Sequence, residues 1–314
     1  MNWSAYWSGF ITNNKLSDKI HEMDEIDMDI NGRYQIEEIC HKIYNGYDSY
    51  KSELDRTRLE LLKKIEEFPG VHLQTSRVKT LDSLLKKVIE KRHAHLRDKS
   101  SRYSKITGEN YKDILTDLVG IRLIISYRGR WIDLHERILE AFPYVPDMQM
   151  YHKYKLIPHS MAGNAAIAEI PKVYHAFGDD ISEYEKAGLE SHLKENGYRS
   201  IHYVVSFMKT YIEIQTRTIY DEAWSDCDHN FVYKHDAHRS HAALKEMSDI
   251  LCLLTNAAND WGEMIQEIYE TEAVYVRDDG KYQKKQGFDL PIETISDKID
   301  EIHNLLEQFQ KRIQ

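Results

Sequence analysis

Apolar residues recur at helical spacing from about residue 16 to 68. In YKSELDRTRLELLKKIEEFPG, Leu54, Leu61, Leu62 and Ile65 fall along one face and Leu59 lies off its edge, the pattern of a helix with one buried stripe. Pro69-Gly70 stops it. A second helix begins near Leu81, with Leu81, Leu84, Leu85 and Val88 inward. Its Lys86, Lys87, Lys91 and Arg92 are expected on the remaining surface.

The period then changes. Val119 to Ser126, VGIRLIIS, is apolar and β-branched and reads as a buried strand, with Asp117 at its entry and Arg122 interrupting it. WIDLHERILEAF follows with helical spacing, and strand then helix opens an α/β layer. From Pro143 to about Lys194, four prolines and three glycines break up any long element. The patch AAIAEIPKVYHAF suits either a strand or a short helix, and so long an irregular connection suggests a functional loop. SIHYVVSF and TYIEIQTRT both alternate and are joined by Met208-Lys209, which predicts an antiparallel hairpin. Helical pattern fills the rest, through HAALKEMSDILCLLTNAANDWGEMIQEIYE, an Asp278-Asp279-Gly280 break and a final EIHNLLEQFQKRIQ.

Composition narrows the class. The 314 residues carry 42 Lys+Arg against 52 Asp+Glu, a formal net charge of −10, which disfavours non-specific nucleic-acid binding over the whole surface. Hydrophobic content of 41% supports a packed core. Three cysteines without CxxC spacing suit a reduced compartment and argue against structural zinc. The N-terminus lacks the pattern of a secretory signal. No run approaches the roughly 18 apolar residues of a membrane span. A cytoplasmic protein is expected, without membrane contact.

Candidate chemistry concentrates on the hairpin. Tyr211, Glu213, Gln215 and Arg217 share one face, opposite Ile212, Ile214 and Thr216, and His202 lies on the neighbouring strand. Long, functional polar side chains in strict alternation resemble the lining of a cleft. A carboxylate such as Asp117 beside a buried strand needs a cation or water. Pairing with Arg122 is the simple explanation; the sharper one is Mg²⁺ shared by two carboxylates from different strands. Arg217 has its own simple explanation, a pair with Asp221 or Glu222. Neither GxxxxGK[ST] nor GxGxxG occurs, so phosphates would be neutralised by side chains such as Arg77, Lys79, Lys86 and Lys87.

Four blocks, in order, resemble the synthetase domain of the RelA/SpoT family, above all its small single-domain alarmone synthetases and their toxin relatives. SRVKTLDSLLKK resembles the family's Arg-x-Lys-x-x-x-Ser-x-x-x-Lys helix start, and DLVGIR its Asp-Leu-x-Gly-Ile-Arg strand. KENGYRSIH is close to its Lys-x-Asn-Gly-Tyr-Arg-Ser-x-His acceptor motif, and EIQTRT is similar to Glu-x-Gln-x-Arg-Thr. WSDCDHNFVYK extends the likeness with Asp228 in place of a glutamate, and Leu193 stands where the family pattern has proline. The likeness covers roughly residues 70–235.

The resemblance implies a nucleotidyltransferase-like α/β fold, a mixed sheet flanked by helices. It would comprise a helical extension over 1–70, the synthetase domain over 71–240 and a second helical extension over 241–314. It implies transfer of the β,γ-diphosphate of ATP to the ribose 3′-hydroxyl of GDP or GTP, without a hydrolase domain. His235-Asp236 alone is too little to suggest one. Asp117 and Glu213 would hold Mg²⁺. Arg77 and Arg122 would contact the adenine, with Lys79, Ser83, Lys86 and Lys87 at the ATP phosphates. Lys194, Tyr198, Ser200 and His202 would bind the acceptor, Tyr198 by stacking on its base, and Gln215 and Arg217 would order the transferred group. A toxin-type relative would instead modify a tRNA 3′ end or adenine nucleotides, with an antitoxin protein as partner. The basic runs Lys86–Arg92 and Tyr151–Lys155 are the features that would favour tRNA. The amphipathic terminal helices would suit a homo-oligomer interface.

Overall fold

The computed structural model describes residues 2–30, 36–233 and 242–273, with short pieces at 277–278, 281–282, 300, 303–304, 307 and 311. The His235-Asp236 pair and most of the final helical pattern lie outside the described residues.

The alternating segments become the centre of a seven-stranded mixed sheet, in the order β1-β2-β7-β6-β4-β5 with β3 paired to β6. β6 (Ser200–Phe207) and β7 (Thr210–Thr218) form the expected antiparallel hairpin. Met208 and Lys209 take positive φ of 49° and 59°, the conformation that a two-residue turn between twisted strands requires. β2 (Val119–Ile125) runs parallel to β7, and β1 (Val71–Val78) closes the edge antiparallel to β2. β1 has little alternating apolar pattern, because only part of an edge strand is covered. The broken segment after Pro143 also contributes strands: β3 (Ala165–Ile167), β4 (Lys172–His175) and β5 (Glu190–Leu193). The long loop expected there is therefore partly sheet, in strands too short to leave a periodic signature.

Helices pack on this sheet. α1 (Trp3–Asn14), α2 (Ser17–Ile30) and α3 (Ile36–Ile65) precede β1; α4 (Leu81–Ala94) and the single turn α5 (Tyr111–Ile114) lie between β1 and β2. α6 (Trp131–Ala141) follows β2, then the short α7 (Gln149–Tyr154), α8 (His159–Ala162) and α9 (Ser182–Lys186). α10 (Ile219–Cys227) follows β7, and the long α11 (Ala242–Ala273) lies over it. One face of the sheet is apolar: Ile121, Leu123, Tyr203, Val205, Ile212 and Ile214 are buried with Leu134 and Ile138 of α6. Each such side chain contributes about 1.5–3 kcal/mol on burial. Ile39, Ile43, Leu54 and Leu61 of α3 and Leu84, Leu85 and Val88 of α4 join the same core, and Leu59 points outward, half exposed.

α3 also reaches the cleft, because the Tyr47 hydroxyl donates to the Lys79 carbonyl. Arg92, expected on the α4 surface, is instead buried, donating to the carbonyls of Ser104 (3.0 Å) and Ile106 (2.8 Å). Two carbonyl partners offset the cost of taking a guanidinium from water. Among the described residues no helix is long and apolar enough to cross a membrane.

Candidate active site

The polar face of the sheet carries the candidate residues. Register places Arg77 opposite Gly120, Gly120 beside Glu213, Arg122 beside Gln215, and Gln215 opposite His202. A cavity of about 140 Å³ is lined by Arg77, Asp117, Gly120, Arg122, Glu213 and Gln215, among others. Glycine at 120 leaves room on the floor: a Cβ there would sit 3.8 Å from Arg77 Cγ and Nε.

Asp117 is paired with lysines rather than with Arg122. Its Oδ2 lies 2.8 Å from Lys79 Nζ and 2.6 Å from Lys87 Nζ. Thr80 caps α4 by accepting from the Ser83 N–H; this fixes the helix start and hence Lys87, nearly two turns further on. Burial alone would raise the Asp117 carboxyl, but the Lys87 and Lys79 ammoniums outweigh it and hold it below the usual carboxylate range. Asp117 Oδ1 is buried without a hydrogen-bond partner. Lys86 is half-buried on α4 and outside the cavity lining, and Ser83 is exposed, its hydroxyl 2.8 Å from that of Thr80.

The other candidates close into a ring of hydrogen bonds. Gln215 donates to Glu213 Oε2 (2.7 Å), and Arg217 Nη2 donates to Gln215 Oε1 (2.7 Å) and to the Tyr198 hydroxyl (3.0 Å). The Tyr198 hydroxyl meets His202 Nε2 at 3.0 Å, and His202 Nδ1 lies 3.4 Å from Glu213 Oε1. With the His202 proton on Nδ1 facing the carboxylate, Nε2 accepts from Tyr198 and every member of the ring has a partner. Burial would push Glu213 up, but His202, Lys87 and Gln215 more than offset it and bring the carboxyl down to about 2. Burial raises the Tyr198 phenol against the opposing charge of Arg217.

Two acceptor-motif residues stand outside this ring. Ser200 is buried and its hydroxyl donates to the Thr216 carbonyl at 3.1 Å, so it serves the strand pair. Lys194 lies 4.9 Å over the ring of Tyr174. Gly197 takes a φ of 84°, and a Cβ there would meet Cys252 Sγ of α11 at 2.5 Å. The motif loop is thus pressed against the C-terminal helix.

Two residues escaped sequence reasoning as parts of the site. Tyr174 of β4 packs against His202 (ring centroids 4.5 Å), His192 (5.4 Å) and Tyr198 (5.9 Å); it sat in the segment without readable period. Glu222, foreseen only as a partner for Arg217, binds two arginines. Its Oε1 accepts from Arg122 Nη1 at 2.8 Å and its Oε2 lies 3.2 Å from Arg217 Nη1. Acidic residues in a helix's first turn are common, so nothing in the sequence marked it out.

Two half-buried carboxylates facing lysines and arginines across a β-sheet cleft suit the handling of phosphorylated substrates. A protein-family model described as a region found in RelA / SpoT proteins matches residues 76–238, just over half of the 314-residue chain. The chain belongs to the RelA/SpoT family, and is a GTP pyrophosphokinase-like transferase. Among solved structures it is similar to the small alarmone synthetase 2 of Bacillus subtilis, with 20% identity over 72% of this chain and 97% of that one and a TM-score of 0.42. A GTP pyrophosphokinase family protein of Streptococcus pneumoniae matches at 18% identity over 76% and 97%, TM-score 0.40. The Bacillus subtilis small alarmone synthetase 1 bound to its product pppGpp matches at 17% over 71% and 92%, TM-score 0.39. No curated protein matches the chain.

Proposed function

We propose that this protein moves the β,γ-diphosphate of ATP to the ribose 3′-hydroxyl of GDP or GTP, with Mg²⁺ held by Asp117 and Glu213. The observation that carries this reading is the shared cavity, which brings Asp117 and Glu213 together with Arg77 and Arg122. No group of three or more His, Cys, Asp or Glu able to hold a metal occurs among the described residues. Two carboxylates nevertheless suit Mg²⁺, which takes few protein oxygens and fills its other positions with water and substrate phosphate. The buried, unpartnered Asp117 Oδ1 supplies one such oxygen. When bound, the metal would neutralise charge on the transferred diphosphate.

The remaining work falls to the chain. Lys79 and Lys87, now on Asp117, are within reach of a triphosphate entering beside it. Arg77 and Arg122 offer guanidinium planes to the adenine. A carboxyl held near 2 stays ionised and accepts protons poorly, so we assign Glu213 to charge and orientation rather than to base catalysis. Tyr198, His202 and Tyr174 present aromatic surface to the acceptor base. Positioning and charge neutralisation supply most of the acceleration in phosphoryl-type transfer.

We take a free nucleotide as acceptor rather than tRNA, on the net charge of −10 and because the Lys86–Arg92 run is partly spent inside, with Arg92 buried and Lys87 paired with Asp117. We place the protein in the cytoplasm, where ATP is supplied; its cysteines at 40, 227 and 252 are all free. The test is incubation with γ-labelled ATP and, separately, GDP, GTP, AMP, ADP, ATP and bulk tRNA. Label on GDP or GTP is expected; label on tRNA alone would replace the acceptor, and label on none would remove the activity.

A further inference from the structure

Arg122 and Arg217 project from the same face of adjacent parallel strands, where Arg122 is registered with Gln215 and Ile124 with Arg217. That makes them diagonal neighbours of like charge, an arrangement that is unfavourable without an anion between them. Glu222 is that anion. It rises from the first turn of α10, whose start is fixed by Thr218 accepting from the Asp221 N–H and whose body is fixed by Trp224 donating to the Ser248 carbonyl of α11. One carboxylate oxygen accepts from Arg122 Nη1 at 2.8 Å, and the other forms an ion pair with Arg217 Nη1 at 3.2 Å without a hydrogen bond.

The two arginines belong to different halves of the site. Arg122 lines the cavity with Arg77, Asp117 and Glu213. Arg217, with its side chain only 2% exposed, anchors the ring that holds Gln215 and Tyr198, and also donates to Ser225 Oγ at 2.8 Å. We propose that Glu222 is a positioning residue that couples the two substrate sites, so that nucleotide settling on Arg122 tightens the Arg217–Tyr198 arrangement that receives the second substrate. This rests on the pyrophosphotransferase reading above. Each arginine shares one rigidly placed carboxylate, so a shift in one guanidinium changes the geometry offered to the other. Coupling between sites is reciprocal and typically amounts to a factor of about 5 to 150.

The experiment measures GDP affinity by calorimetry with and without a saturating ATP analogue whose α,β-bridging oxygen is a methylene, which blocks transfer because that bond must break. In the wild-type protein the analogue is expected to tighten GDP about fivefold or more. Glu222→Gln, similar in shape but uncharged, is expected to cut that factor, taken as a ratio against the variant's own affinity for GDP alone, below about twofold. Glu222→Asp keeps the charge but is too short to span both arginines, and should lose coupling as well. An unfolding midpoint measured for each variant separates lost coupling from a loosened fold. Equal coupling in wild type and Glu222→Gln, or none in wild type, would overturn the proposal. Wild-type protein that binds both nucleotides and couples them but transfers nothing would sink the functional reading and leave the role of Glu222 standing.

Discussion

On the β1–α4 side of the cleft, charge is held against charge: Lys79 and Lys87 converge on Asp117, and Arg77 lies exposed along the cavity wall. On the β6–β7 side the groups hold each other through directed hydrogen bonds, from Glu213 through Gln215, Arg217, Tyr198 and His202 back to Glu213. The first arrangement suits a partner that brings charge of its own, since ammonium groups can exchange a carboxylate for a triphosphate with little rearrangement. The second suits a partner that must be oriented, since a closed ring fixes side-chain angles before anything binds. A transfer reaction needs both: neutralisation where charge gathers and fixed geometry where the nucleophile sits.

The largest effect that would break this contrast is loss of either carboxylate. Asp117→Asn or Glu213→Gln is expected to lower kcat/KM by about a thousandfold, on the order of 4 kcal/mol of barrier, as read by label transfer from ATP. A variant retaining near-normal rate would remove its residue from the proposed metal site. Next comes Arg217→Met, which leaves Glu222 facing Arg122 alone and opens the ring. Breaking a buried pair of this kind costs about 3 kcal/mol, visible as a lower midpoint in denaturant, and an unchanged midpoint would show that the ring contributes no rigidity.

How far the contrast is legible without coordinates differs between its two halves. The ring side could be anticipated because strict alternation in β6 and β7 puts His202, Glu213, Gln215 and Arg217 on one face, and alternation is a local property of the chain. The lysine side could not. Asp117 has an arginine five residues on, and local reasoning paired them; the true partners, Lys79 just past β1 and Lys87 of α4, meet it only after β1 has been laid beside β2. β1 itself was missed because VHLQTSRV is an edge strand with little apolar pattern, and Tyr174 because β4 is four residues long. Glu222 was legible only as a partner for Arg217, because its second contact, with Arg122 on the neighbouring strand, is recorded by no spacing in the sequence.

Acid titration sharpens the electrostatic half of the account. The Glu213 carboxyl is depressed from 4.5 to about 2 in the folded state. Its contribution is therefore fully present above the unfolded value and is lost as pH falls from about 4.5 toward 2. A stabilising term of about 3 kcal/mol should disappear over that window, and in Glu213→Gln the pH dependence of unfolding free energy should be flatter there. A slope unchanged in the variant would mean that the carboxyl is not held ionised by its neighbours.

The smallest change is Tyr198→Phe, which removes the hydroxyl joining Arg217 to His202 and keeps the aromatic face. It should cost about 1 kcal/mol, seen as a roughly fivefold rise in acceptor KM with ATP KM unchanged. A rise in ATP KM instead would put Tyr198 on the other side of the cleft.

The central claim is that a diphosphate moves as one unit between the two halves. Phosphorus NMR of a reaction of ATP with GDP and Mg²⁺ tests it directly. The account predicts AMP appearing together with a new diphosphate on the 3′ position of the acceptor, in equal amounts and absent with Glu213→Gln. Formation of ADP and a singly phosphorylated acceptor, or of ADP and free phosphate, would contradict it.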